Sequence, residues 1–170
     1  MGGARTMKPL AALTTLALMA SVAAAVPSDR FTGVWKLNLA KSGGDSRSQV
    51  LTISVVGDVE TYRSELVLHD GTRQVTNYTA AYDGKEHPSQ TLITPPDGAA
   101  TRRDDGVILR KIDELTRERQ WKREGRVIRI LRRTISQDGR TLTSQVIDVD
   151  EEGHEHPAGK LVFDRTESAR

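Results

Sequence analysis

Arginine is the residue whose placement could do the most chemistry in this chain. From Leu115 to Arg123, alternate positions read Leu115, Arg117, Arg119, Trp121 and Arg123, and the intervening ones read Thr116, Glu118, Gln120 and Lys122. On a β-strand alternate side chains share a face. The only face with apolar members would therefore carry arginines with it. A guanidinium turned toward an interior can hold a carboxylate through paired charge-assisted hydrogen bonds. The next segment mixes Arg129, Arg132 and Arg133 with Val127, Ile128, Ile130 and Leu131. Arg117, Arg119 and Arg129 are thus candidate anchors for an anionic group, with Tyr62, Tyr78 and Trp121 as candidate wall residues. Two placements are open. The arginines could enter the interior, or they could lie at its mouth or outside, with their stems covering apolar surface. The cost of burying an uncompensated charge favours the second.

Other chemistry is sparser. His154-Glu155-His156 could chelate zinc or copper, with His69 or His87 adding a ligand, but no third ligand is fixed by spacing. His154 and His156 are therefore weak metal candidates beside the reading as an exposed charged loop, and no cofactor is implied. Glu-His-Pro occurs twice, at 86–88 and 155–157, and reads as loop or strand-boundary sequence because proline interrupts pairing. There is no Gly-x-Ser-x-Gly elbow, His-Glu-x-x-His, phosphate-binding glycine loop or dinucleotide fingerprint. With no cysteine in the chain, thiol catalysis is impossible. The enzyme class is left open, with a non-enzyme favoured.

These residues must be positioned by hairpins. Asp-Gly recurs at 70–71, 83–84, 97–98, 105–106 and 138–139, and Gly57-Asp58, Glu124-Gly125 and Glu152-Gly153 punctuate similarly. Such pairs accept the positive φ of tight turns. Leu51, Ile53 and Val55 alternate with Thr52 and Ser54, and Tyr62, Leu66 and Leu68 oppose Thr61, Arg63 and Glu65. Period two predicts half-buried strands, near 33–39, 48–56, 59–68, 72–82, 90–94, 107–113, 115–123, 126–135, 140–149 and 160–165. Residues 113–134 are rich in helix formers. Leu115 and Trp121 do not fall at helical spacing, however, and Gly125 breaks the run, which favours a hairpin.

The amino terminus reads differently. Arg5 and Lys8 precede an uncharged apolar run from Leu10 to Ala25 that ends in Ala23-Ala24-Ala25. This is the pattern of a cleaved secretory signal, residues 1–25, and it is too short and alanine-rich for a membrane anchor. The expected mature chain, 26–170, is one domain without a transmembrane span. The full chain is +2, but Arg5 and Lys8 leave with the signal, and 23 basic residues then face 23 acidic ones. The basic character belongs to the precursor and gives no ground for a nucleic-acid partner. Charge is uneven along the chain: residues 101–133 hold twelve basic and six acidic residues. This basic flank could attract an anion or pair with the acidic run Asp148, Asp150, Glu151 and Glu152. A cysteine-free exported chain fits a bacterial periplasm or exterior.

Gly33-Val34-Trp35 near the start of a many-stranded chain resembles the Gly-x-Trp signature of lipocalins and the wider calycin group. FTGVWKLNLAKS, AAYDGKEHP, ISQDGRTLTSQV and LVFDRT are similar to segments of short exported bacterial proteins with a lipocalin-like domain, most without an assigned activity. The resemblance implies an all-β fold, a single antiparallel up-and-down barrel of about eight to ten strands. It also implies that Trp35 lies at the closed end with Arg165 packed across it, and that Gly33 lets the chain pass close to the barrel floor. The expectation is a container for a small amphipathic or anionic molecule. The alternatives are a non-catalytic envelope interaction protein with a filled barrel and a basic outer flank, its partner unknown, and, third, a small enzyme without a recognisable motif.

Overall fold

The computed structural model describes Gly2 and residues 29–166, so the expected signal segment lies outside the described residues. Ten strands follow in order: β1 (Gly33–Leu37), β2 (Ser46–Val56), β3 (Val59–Leu68), β4 (Arg73–Ala81), β5 (Glu86–Thr94), β6 (Thr101–Lys111), β7 (Thr116–Arg123), β8 (Arg126–Ile135), β9 (Thr141–Val149) and β10 (Glu155–Arg165). Each pairs antiparallel with its chain neighbour, and β1 pairs with β10, closing an up-and-down barrel. The expected hairpin over 113–134 is present as β7–β8. Its turn has Glu124 at φ 50° and Gly125 at φ 78°, the two successive positive values that a tight hairpin turn needs.

Alternation sorts the side chains. Leu51, Ile53 and Val55 on β2 point inward with Glu60, Tyr62 and Ser64 on β3, and all six are buried. Outward positions carry Arg63 and Glu65 on β3 and Arg102 and Asp104 on β6, ion-paired along each strand. Such outward charge pairs contrast with the apolar outer band of a lipid-exposed barrel. No helix among the described residues is long and apolar enough to cross a membrane.

Three strands are longer than the alternation alone indicates, and the reasons are physical. β6 begins at Thr101 rather than near 107, so Asp105-Gly106 is strand and not turn. Its charged start is tolerated because Arg102 pairs with Asp104 on one face and Arg103 with Asp105 on the other. β5 and β10 run through Pro88 and Pro157, which were expected to bound strands. Residues 86–88 pair with β6 alone, since β4 meets β5 only from Ser89 onward. Likewise 155–157 pair with β9 alone, because β1 meets β10 only at 163–165. Each proline thus has one unpartnered side, the position where its missing N–H costs no ladder bond.

Candidate functional site

One end of the barrel is sealed. Phe31 and Trp35 are fully buried there, and Trp35 donates Nε1–H to the Phe31 carbonyl at 3.0 Å. Arg165 lies over the indole, its Cζ 4.1 Å from the ring centre. It donates to the carbonyls of Gly139 at 2.7 Å and Thr32 at 2.6 Å, and to that of Arg30. Gly33 is what admits it. At φ 151° this glycine leaves open the space where a Cβ would sit 2.5 Å from Arg165 Nη1.

Above the floor lies a charge network in which the Glu60 carboxylate is saturated, while Arg133 Nε and Nη1 have no acceptor. Glu60 has no solvent exposure, and Arg133 Nη2 donates to both of its carboxylate oxygens at 3.0 Å. The Tyr78 hydroxyl donates to Oε1 at 2.5 Å and the Tyr82 hydroxyl to Oε2. Burial by itself would raise the Glu60 pKa, but Arg133 and the two phenols outweigh it and hold the carboxyl below its usual range. Burial and the facing carboxylate push both tyrosines upward. With every favoured acceptor direction filled, Glu60 has no lone pair free for proton transfer. Arg117, also buried, donates to Asp29 Oδ2 at 3.1 Å and to the Asp113 carbonyl at 2.6 Å.

Arg119 differs. It points into the barrel, is 5 % exposed, and has no carboxylate partner among the described residues. Its surroundings are aromatic. Its Cζ lies 4.6 Å from the Tyr62 ring centre and 5.1 Å from that of Trp121, and Nη1 donates to the Tyr78 hydroxyl at 3.3 Å. Tyr62 and Tyr78 stack at 4.7 Å beneath it. Its Nε–H has no acceptor, a feature it shares with Arg117 and Arg133. Desolvation lowers its pKa, yet the phenolic oxygens of Tyr62 and Tyr78 outweigh that and hold it above the ordinary value, so the group stays charged.

Toward the other end, inward side chains are half-buried, among them Gln49, Leu66, Ile93, Trp121 and Val146, so solvent reaches them there. The expected preference for outer arginines fails at Arg117 and Arg119. Arg117 enters because Asp29 compensates it; for Arg119, aromatic faces and one hydroxyl take that place. Arg129 shares the inward register with Leu131 and Arg133 but sits at the rim, exposed, with Nε 2.6 Å from Asp148. The basic flank is largely neutralised. Of its twelve cations, all but Arg119 lie within 4.0 Å of a carboxylate. Arg129–Asp148 and Arg126–Glu151 realise the expected pairing with the acidic run.

At the β9–β10 tip, Asp150 Oδ2 lies 2.7 Å from His156 Nε2 and 3.4 Å from His154 Nδ1, with Glu152 close by. The imidazoles are exposed and already held by a carboxylate. His87 pairs with Asp83 on another hairpin, at 3.0 Å.

Sequence reasoning missed Glu60, Arg133 and Tyr82 as interior groups. The signal was present, since Glu60 is two residues from Tyr62 and Arg133 two from Leu131, each pair on one strand face.

A closed ten-strand antiparallel barrel, sealed at one end and charged inside, defines a class of all-β protein compatible with a lipocalin-like, calycin-type fold. The chain matches no family model and no curated protein.

Proposed function

We propose that this chain is an exported, lipocalin-like container whose open half binds a small anionic or amphipathic molecule. The observation that carries the reading is Arg119, a buried cation without a counter-ion in a lumen that compensates its other deep charges. An isolated buried charge is costly, and an incoming carboxylate would offset that cost while giving the free Nε–H an acceptor. Half-buried Leu66, Ile93, Val146 and Trp121 would accommodate an apolar body. The interaction-protein alternative has less to recommend it, because the basic flank it relies on is paired.

The test is calorimetric titration with octanoate. The reading expects binding to the wild type and, for Arg119→Leu, an affinity at least roughly tenfold weaker, the loss of one charge-assisted contact. Equal affinity in a folded variant would remove Arg119 from the site. Native mass spectrometry on protein from its own host would look for the retained molecule, and the same sample would show whether the chain begins after Ala25.

A further inference from the structure

The lumen carries a second centre of unspent positive charge. Asp105 on β6 has a side chain only 1 % exposed. It accepts from Arg103 Nε at 2.8 Å, Arg123 Nε at 3.1 Å and Trp121 Nε1 at 3.0 Å. Two guanidiniums therefore share one carboxylate, an excess of +1. Both approach through Nε and are part-exposed, at 37 % and 40 %, so neither guanidinium is used up by Asp105. Directly across from Asp105 in the β5–β6 register is Ser89, 4 % exposed, whose hydroxyl has no partner. Deeper in the barrel, Arg117 with Asp29 and Arg133 with Glu60 are neutral pairs, and at the rim Arg129 with Asp148 is another. Among the described residues the lumen thus has two uncancelled charges, one at Arg119 and one at the Arg103–Arg123 pair.

Trp121 relates the two. Arg119 lies against its ring, while its Nε1 reaches the second centre through Asp105. Among the described residues the indole is thus the one side chain shown in contact with both centres, and it is an apolar surface.

We infer that the ligand is a dianion with an apolar spacer: its inner carboxylate is held by Arg119, and its outer one by Arg103 and Arg123, with the Ser89 hydroxyl as a further donor. This rests on the container reading above. It deepens that reading by requiring two anionic groups where Arg119 alone would require one. Charge at both ends also separates the expected ligand from an ordinary fatty acid, whose far end is apolar.

The experiment compares suberate with octanoate, acids of equal chain length that differ in the second carboxylate, by titration calorimetry at fixed ionic strength. The inference expects suberate to bind roughly tenfold tighter or more, the gain from one added charge-assisted contact. Arg123→Gln, at a part-exposed position, should erase most of that advantage and leave octanoate within about twofold of its wild-type affinity. Asp105→Asn removes the competing carboxylate and should favour suberate further, whereas a purely structural Asp105 would change only the melting temperature. Octanoate equal to or tighter than suberate would overturn the dianion and leave the container reading standing. If neither acid binds the folded wild type, both fail. An advantage for suberate that survives Arg123→Gln and Arg103→Gln would place the second group elsewhere and overturn the assignment.

Discussion

Arg133 and Arg119 sit on adjacent strands, both buried, both turned into the same barrel, and they have opposite surroundings. Arg133 faces Glu60, whose remaining acceptor positions are taken by Tyr78 and Tyr82. Arg119 faces the rings of Tyr62, Tyr78 and Trp121, with a single hydroxyl as acceptor. A buried ion pair and a buried lone ion have different consequences. Breaking the first by removing one partner strands the other, while removing the second relieves a desolvation cost. The contrast separates an arginine whose charge a carboxylate compensates from one whose charge is met only by rings and a hydroxyl.

The largest effect should come from Glu60→Ala. It strands Arg133 and leaves two tyrosine hydroxyls without their acceptor, and urea denaturation should show a loss of about 3–5 kcal/mol. Trp35→Ala at the sealed end should cost a comparable amount, about 3–5 kcal/mol, as aromatic truncations in cores do. Gly33→Ala forces a Cβ against Arg165 at an unfavourable φ, and a loss of about 1–3 kcal/mol is expected. Arg119→Leu is the sharpening case. Its stability should match or exceed that of the wild type by up to about 1 kcal/mol, and a loss like that of Glu60→Ala would dissolve the distinction between the two arginines. Smallest is Arg129→Ala at the rim, within about 0.5 kcal/mol, as exposed pairs usually are.

Acid provides a separate handle on the saturated half. The Glu60 pKa is lowered on folding, so the stability it contributes is fully present above the ordinary glutamate value, about 4.3, and is lost as pH falls below that through the folded value. Melting curves from pH 6 downward, a window set relative to that ordinary value, should show a decline that is reduced in Glu60→Gln. An acid limb of equal depth in the variant would assign it to other carboxylates.

Much of the barrel can be read from the chain because period two is a local property. Leu51-Thr52-Ile53-Ser54-Val55 announces its strand without reference to anything else. The inward face of β7 is legible for the same reason. Partnership is not local. Glu60 meets Arg133 across 73 positions, and Arg117 meets Asp29 across 88. No spacing rule connects them, so the burial that looked too costly for an arginine could not be weighed against its compensation. The misread start of β6 has the same origin. Asp105-Gly106 has the composition of a turn, and Trp121 and Arg123, supplied from β7, join Arg103 in making an inward aspartate acceptable there.

The clasp at the sealed end has a consequence for biogenesis. Arg165 reaches the Thr32 carbonyl across 133 positions, and the β1–β10 seam depends on the last residues of the barrel. A chain emerging amino end first would expose the free edge of β1, with Trp35 uncovered, until nearly all of it had been delivered. Such an edge invites pairing with other chains. The protein should therefore tolerate folding after synthesis is complete better than stepwise folding, and loss of residues from 163 onward should yield open, self-associating sheets rather than a slightly weakened barrel.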